Sequence, residues 1–414
     1  MARASVTQHE QGAQHGGDGA PGRDAEAYNA LAMQRMRAGD PSEARAILDR
    51  AVAEHPRHIA LWLNLAGACR ALGDAKAAFG AVEGALQVDP RSFLALLMKA
   101  SLLERQGSVR EAGFAYGIAL TQAPDPDLLD APTRRALEHA RVAYADYQDG
   151  LRQQLLEAVS EAKALGRTTE SRRIGTFIEH LVGTRRIFHQ RPTSFFYPGL
   201  PSIEFYAREE FAWLPDIEAA TAAIRQELFA VMADNELAAR FGPYVDYPAG
   251  VPLDQWAELN QSPRWSAFFL FRDGEAVSGN ADRCPATMAA LARAPQPSVI
   301  RRSPAAMFSV LQPKTRIPPH TGVSNTRLVV HLPLILPPDC RFRVGNETRV
   351  WRDGEAWVFD DTIEHEAWND SDRPRTILIF DIWSPFLSET ERELIARVTV
   401  AADAFNGADP DPGL

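Results

Sequence analysis

The sequence predicts a multidomain chain of two textures, an N-terminal α-solenoid of short repeats followed by a β-rich sandwich or barrel. Three observations carry that prediction. Glycine, proline and alanine recur on a single 34-residue step through the first third of the chain. Helical periodicity then gives way near Pro192 to aromatic, proline and glycine residues. Beyond Trp265, short apolar or alternating runs are broken again and again by turn residues. A length of 414 residues is enough for two or three domains with sizeable cores of their own.

Residues 1–24 read as a disordered tail. The stretch from Met1 to Gly22 lacks a charged segment followed by an apolar one, which argues against a secretory signal, and its His9 and His15 read as solvated side chains. Residues 25–126 hold the repeats: Gly39, Gly73 and Gly107 are 34 apart, as are Pro56, Pro90 and Pro124, and Ala44, Ala78 and Ala112. Glycine at the turn between two helices and proline ending the second is the tetratricopeptide pattern, with units at about 25–58, 59–92 and 93–126. Ala66 and Ala100 let the first helix of a unit approach its partner, Trp62 fills the large position, and Ala51, Ala85 and Ala119 recur on the second helix. Residues 127–190 are read as capping helices and linker. Thr133 to Leu165 is helical in pattern and covers the last repeat, and the linker proper runs from about Gly166 to Thr193.

The second domain is placed at residues 191–405. A helical stretch is expected over Leu214 to Ala238, then strands over Ser266 to Phe271, Ala306 to Leu311, Leu328 to Leu336, Arg341 to Val344, Ala356 to Phe359 and Thr376 to Ile382. Short strands with Gly, Pro and Asp punctuation indicate an all-β sandwich or barrel.

Composition excludes several classes. A net charge of −10 and a pI near 5.6 argue against a protein that lives on nucleic-acid phosphates or anionic lipid, although Arg301 and Arg302 form a local basic pair. Cys69, Cys284 and Cys340 are odd in number and far apart, so neither a disulfide framework nor a zinc ribbon is expected and a reducing cytoplasm fits best. No apolar run approaches the roughly 20 residues needed to span a bilayer.

The chemistry is expected in the β region, which holds three histidines, His320, His331 and His365, all beside strand-like runs. His320 lies in the turn Pro318-Pro319-His320-Thr321-Gly322 and is expected to precede a strand, while His365 follows Phe359-Asp360-Asp361-Thr362-Ile363-Glu364. Two such positions, 45 residues apart, can converge at the mouth of a barrel, where imidazoles suit Fe(II) with open positions left over. Spacing alone does not separate this from hydrogen-bonded structural histidines. Arg375 opens the run Thr376-Ile377-Leu378-Ile379-Phe380. Its guanidinium either grips a carboxylate bidentately at the barrel mouth or pairs in solvent with Asp370 or Asp372.

The ordered series His320-Thr321-Gly322, Asn325, Arg327, His331, Asn346-Glu347-Thr348, Phe359-Asp360-Asp361, Glu364-His365-Glu366-Ala367-Trp368 and Arg375 resembles the aspartyl/asparaginyl β-hydroxylase family. The resemblance covers about Phe195 to Pro385 and is densest from Met307 to Trp383. Animal members also carry tetratricopeptide repeats ahead of the oxygenase domain.

That resemblance implies a double-stranded β-helix (jelly-roll), Fe(II), 2-oxoglutarate and dioxygen. His320 and His365 match the metal ligands. Gly322 stands where most related oxygenases have an acidic third ligand, so that water completes the coordination. Ser309 and Arg375 match the residues that hold the distal carboxylate of 2-oxoglutarate, and His331 matches one near its metal-binding end. Leu311, in place of a methionine, and Ala367 belong to the same pocket. Arg327 matches a substrate-carboxylate contact, and Val329 departs from an arginine of animal members. The implied reaction is β-hydroxylation of Asp or Asn residues in a peptide or protein, with release of succinate and CO2. The alternatives are hydroxylation of a small molecule or carrier-bound amino acid, a lipid acyl chain being disfavoured by the acidic chain, or a non-catalytic repeat adaptor. The repeats are expected to bind a peptide partner. Asp360 and Asp361 either orient an imidazole or cap a turn. Trp351, Trp357, Trp368 and Trp383 are expected in core and pocket wall.

Overall fold

The computed structural model describes residues 24–160 and 168–406. The expected tail before Asp24 and part of the expected cap, 161–165, lie outside the described residues. The chain divides after Thr184 into two compact units.

The first unit is built of helix–turn–helix pairs: α1 (Ala25–Arg37) with α2 (Pro41–Glu54), α3 (Ile59–Ala71) with α4 (Ala75–Val88), and α5 (Phe93–Arg105) with α6 (Val109–Leu120). The 34-residue glycines explain the turns. Gly39, Gly73 and Gly107 sit at φ of +79°, +75° and +81°, a conformation open to glycine at no steric cost. Each lets the next amide reach back over the helix end, as Asp40 N does to Arg35 O at 3.0 Å. Asp40 and Asp74 then cap the following helices, accepting from Glu43 N and Ala77 N at 3.0 Å. The recurring alanines are the contact points between helices: Ala44, Ala51, Ala66, Ala78, Ala85, Ala100 and Ala119 are fully buried. Trp62 lies over Gly84, where a Cβ would come within 2.5 Å of its ring. The same device seats the long helix α7 (Ala131–Ala158), whose Tyr144 and Tyr147 cover Gly117 and Gly113 of α6. α8 (Thr168–Leu181) packs against α7. Among the described residues no helix is long and apolar enough to cross a membrane.

The second unit carries two antiparallel sheets. Their strands are β1 (Gly242–Pro243), β2 (Trp265–Arg272), β3 (Glu275–Ala276), β4 (Ala306–Leu311), β5 (Thr315–His320), β6 (Arg327–Ile335), β7 (Cys340–Val344), β8 (Glu347–Val350), β9 (Trp357–Phe359), β10 (His365–Asn369) and β11 (Arg375–Trp383). The larger sheet runs β1-β2-β4-β11-β6-β9, with β3 on β2, and the smaller runs β5-β10-β7-β8. Side-chain parity sorts the core. Even-numbered Phe308, Leu328, Val330, Leu332, Leu378 and Phe380 pack beneath helices, including Ile224, Leu228 and Val231 of the helix Thr221–Ala233. Odd-numbered Met307, Val329, Ile377 and Ile379 face inward and meet Ile317, Phe342 and Ala367 of the smaller sheet. A sheet buried on both faces reads as continuous apolar runs, which is why β4, β6 and β11 are apparent in the sequence.

Three longer strands, β5, β8 and β10, fall outside the six expected runs. β5 contains Pro318 and Pro319, which read as a turn, but it is the edge of its sheet, where a strand tolerates proline. His320 therefore ends a strand rather than preceding one. The stretch Leu214 to Ala238 is three helices, Leu214–Ala219, Thr221–Ala233 and Asn235–Ala238, the last capped by Asp234 accepting from Glu236 N at 2.9 Å. Three α-helices were not expected: Thr168–Leu181, inside the stretch read as linker, Pro285–Leu291 and the C-terminal Glu389–Asn406.

Candidate active site

Adjacent strands bring the two outer histidines together. In the antiparallel pairing of β5 with β10, His365 lies opposite His320, and their rings are 4.0 Å apart. Each ring is held by its own backbone: His320 Nδ1 lies 2.7 Å from Pro318 O and His365 Nδ1 3.0 Å from Ile363 O. A carbonyl only accepts, so Nδ1 carries the proton and Nε2 is left with the lone pair. Burial pushes His320 down to about 4 and His365 well below the ordinary imidazole range, so both rings are neutral near pH 7. Backbone carbonyls, and not Asp360 or Asp361, orient the imidazoles, because each peptide turn presents its carbonyl two residues before the ring.

No third His, Cys, Asp or Glu joins them in a metal-sized group among the described residues. At Gly322 a Cβ would fall on the carboxylate of Asp361, so glycine is required for that carboxylate to occupy the space. Asp361 is buried, its Oδ1 has no hydrogen-bond partner, and burial raises its carboxyl to about 7 against the opposing pull of Arg327. Asp360 has the other role left open by the sequence. Its Oδ1 accepts from Thr362 N at 2.9 Å and Thr362 Oγ1 at 2.6 Å, closing the turn before His365.

The facing wall comes from the inward positions of the larger sheet. Ser309, Val329, His331, Arg375, Ile377 and Ile379 line a cavity of about 340 Å³ with His320, His365, Asp361 and Ala367. Ile377 pairs with Ser309 and Ile379 with His331 across the ladders, so parity alone brings Ser309, His331 and Arg375 to one face. Arg375 is 2% exposed, its Nε and Nη1 have no hydrogen-bond partner, and no carboxylate pairs with it among the described residues. Its guanidinium lies 5.0 Å from the Trp351 ring, and burial lowers it to about 10. The solvent pairing with Asp370 or Asp372 is ruled out: Arg341 and Lys314 hold those acids at 2.9 and 3.0 Å, while Arg375 starts a central strand. Ser309 Oγ accepts from Trp265 Nε1 at 3.0 Å, and His331 Nδ1 has no partner. Leu311 is fully buried opposite Arg375 but does not line the cavity.

Sequence reading missed the aromatic wall. Trp256 meets His320 edge-on at 4.9 Å, and Tyr244 stacks on Trp265 at 3.9 Å. They lie in a loop, a short 3-10 helix and an outer strand, with no periodic pattern to mark them. Of the four tryptophans expected in core or pocket wall, Trp351 and Trp357 stack in the core at 5.3 Å and Trp383 lines a second cavity. Trp368 is neither: it faces outward between Arg316 and Arg341, because it occupies the alternate face of β10.

The segment before the second unit's first helix braces both histidine turns. Arg191 N donates to Thr362 O at 2.7 Å and Thr193 N to Gly322 O at 2.9 Å. Asn325 Nδ2 donates to Gln190 Oε1 at 2.9 Å, and its Oδ1 accepts from Tyr197 N at 2.7 Å. Arg327 lies on the far side of Asp361, 3.9 Å from it and 3.6 Å from Asp381, and faces the second cavity rather than the first.

Residues 218–385 match the family model for aspartyl/asparaginyl beta-hydroxylase, and residues 25–67 match a tetratricopeptide repeat. The human aspartyl/asparaginyl beta-hydroxylase is 34% identical over 155 residues, 37% of this chain and 20% of that protein. An ornithine lipid ester-linked acyl 2-hydroxylase of Rhizobium tropici is 34% identical over 195 residues, 46% of this chain and 64% of that one. The human aspartate beta-hydroxylase domain-containing protein 2 is 29% identical over 211 residues, 50% of this chain and 54% of that one. The matched segments thus span from a fifth to under two thirds of these relatives. Among solved structures, the type III secretion chaperone SycD of Yersinia enterocolitica with a peptide of the translocator YopD aligns with 28% of this chain and 92% of that one, at TM-score 0.26 and 19% identity. Over residues 218–385 the second unit is thus similar to the aspartyl/asparaginyl beta-hydroxylase family, behind tetratricopeptide-type repeats.

Proposed function

We propose that this protein is an Fe(II)- and 2-oxoglutarate-dependent dioxygenase that hydroxylates a carbon beside a carboxyl or carboxamide group, as in an Asp or Asn residue of a peptide or protein. The observation that carries this reading is Arg375, a buried guanidinium without a carboxylate partner in the same cavity as two neutral, opposed histidines. An unpaired buried charge is expensive, and a dicarboxylate co-substrate would relieve it. The residues present fit the metal as well: Nε2 of His320 and of His365 are the lone-pair nitrogens, and imidazole suits Fe(II).

Bound Fe(II) with 2-oxoglutarate and dioxygen supplies the oxidant for an unactivated C–H bond, the net change being R–H + O2 + 2-oxoglutarate to R–OH + succinate + CO2. The chain's own work is positioning and exclusion of water. Arg375 and Ser309 would hold the distal carboxylate, and His331 lines the same cavity wall. Asp361, whose carboxylate fills the space a side chain at Gly322 would take, would offer an acceptor beside the metal. Trp256, Tyr244 and Trp265 close the histidine side. Arg327 offers its donors to substrate oxygen. The repeats are read as holding a peptide segment, since Val109, Phe114 and Ile118 are exposed and line a cavity of about 830 Å³ between α6 and α7. Three free, buried cysteines suit a reducing, cytoplasmic setting.

The test is turnover. Purified protein with Fe(II) and 2-oxoglutarate should form succinate, raised by substrate, with a mass gain of one oxygen on the product. Loss of succinate formation in His365→Ala is expected, and undiminished turnover in that variant would sink the reading.

A further inference from the structure

The second cavity is the larger of the two, about 550 Å³, and shares Tyr244, Asp246 and Val323 with the histidine cavity. It lies between the sheet edge, the segment Ser194–Tyr197 and the C-terminal helix Glu389–Asn406. Its apolar lining includes Phe195, Phe269, Phe271, Trp383, Leu394 and Val398. At its mouth Phe196, Leu394 and Val398 are 62, 54 and 67% exposed, an apolar rim left open to water.

The polar groups of the lining are largely engaged with protein. Tyr197 Oη donates to Glu391 at 2.9 Å, Arg302 Nε to Asp403 at 3.1 Å and Ser303 Oγ to Asp381 at 2.7 Å, and the hydroxyls of Ser324 and Thr326 are 2.8 Å apart. A peptide main chain brings a donor and an acceptor with every residue and would find few partners here. An aliphatic chain needs none. The exception is Arg327, which lines the second cavity and is separated from the first by Asp361. Its side chain is 9% exposed, and its contacts with Asp361 and Asp381, at 3.9 and 3.6 Å, are longer than hydrogen bonds. Flanked by two acids, its unused donors suit a neutral carbonyl oxygen better than a further carboxylate.

Resting on the hydroxylase reading and naming its substrate class, we propose that the substrate is an N-acyl amino acid or similar amphiphile. Its polar end enters the histidine cavity, its acyl carbonyl accepts from Arg327, and its aliphatic tail lies in the second cavity.

The experiment titrates N-acetyl-, N-octanoyl- and N-dodecanoyl-L-asparagine into the full chain loaded with Mn(II) and 2-oxoglutarate, without oxygen, and reads binding by calorimetry. A fully buried CH2 is worth about fourfold in affinity. In this half-open cavity the dodecanoyl compound should bind at least about a hundredfold more tightly than the acetyl one. Val398→Arg, a change at an exposed position, should abolish that gain and leave the acetyl compound as before. Arg327→Leu should weaken all three. Equal binding along the series, or a Val398→Arg variant that keeps the gain, would overturn the proposal. So would an Asn peptide with Leu and Phe flanks binding as tightly as the dodecanoyl compound, which would make the cavity a peptide site. Titration of 2-oxoglutarate into the Mn(II)-loaded chain separates the two readings: if it binds while chain length has no effect, only the tail assignment falls, and if it does not bind, the hydroxylase reading falls.

Discussion

Replacing Arg375 with methionine should make the empty protein more stable and the co-substrate site useless. The guanidinium is 2% exposed without a carboxylate partner, and burial lowers it from 12.5 to about 10. At about 1.4 kcal/mol per pH unit, that depression corresponds to about 3 kcal/mol of strain on the folded state near neutral pH. Exchange of uncompensated buried charge for a hydrophobe of similar volume yields about 1–4 kcal/mol, so the two figures agree. Urea unfolding of the metal-free, co-substrate-free chain should show Arg375→Met more stable by about 1–4 kcal/mol, in the transition of the second unit. Loss of the carboxylate grip should weaken 2-oxoglutarate by about 2–5 kcal/mol, or about 30- to 5,000-fold. At a 2-oxoglutarate concentration that stabilises the Mn(II)-loaded parent protein by about 2.7 kcal/mol, the variant should gain under about 1 kcal/mol. A variant that is markedly less stable when empty, or that keeps the full ligand-induced gain, would refute the reasoning.

Asp361→Asn should also stabilise the empty protein, with a pH dependence of defined sign. The folded-state carboxyl is raised to about 7, so the cost of ionising it is absent below the unfolded value of 3.8 and accumulates as pH rises to about 7. The stabilisation should therefore reach about 2–4 kcal/mol at pH 8 and vanish near pH 4, and denaturant melts giving the opposite slope would exclude it. Gly322→Asp, which places an acid at the usual third-ligand position, should not rebuild a three-ligand centre, because its Cβ meets the Asp361 carboxylate. Unfolding should show a loss of about 1–3 kcal/mol, and Mn(II) affinity raised by the single change would contradict this. In the repeats, Gly84→Ala gains about 1 kcal/mol of helix propensity but drives a Cβ to within 2.5 Å of Trp62, so thermal unfolding should show net destabilisation.

The repeats were legible because each 34-residue mark does one local job. Gly39, Gly73 and Gly107 take positive φ at the turns, and the alanines are the helix contacts. The strands of the larger sheet were legible as apolar runs because both of their faces are covered. The smaller sheet was legible only at β7: β5 hides behind two prolines that an edge strand tolerates, and β8 is a short strand with no buried residue. At the site, Ser309, His331 and Arg375 were grouped by resemblance, and the structure brings them to one face because they share odd parity on paired strands. Their role came from resemblance, since a serine or histidine inside a strand carries no mark of its own. What stayed hidden depends on contacts between distant segments. Trp256 against His320 and the brace from Gln190 and Arg191 each join residues more than 60 positions apart. Arg327 was expected at the substrate, and its separation from the histidine cavity by Asp361 follows from Gly322 leaving space for that carboxylate.

The central claim is that His320, His365 and Arg375 form one centre that takes Fe(II) and 2-oxoglutarate together. Anaerobic addition of Fe(II) followed by 2-oxoglutarate to the full chain should produce a visible charge-transfer absorption band that saturates at one equivalent of each. His365→Ala should show no band, and Arg375→Met should need far more 2-oxoglutarate to reach it. No band in the parent protein at saturating Fe(II) and 2-oxoglutarate, or an unaltered band in His365→Ala, would contradict the account.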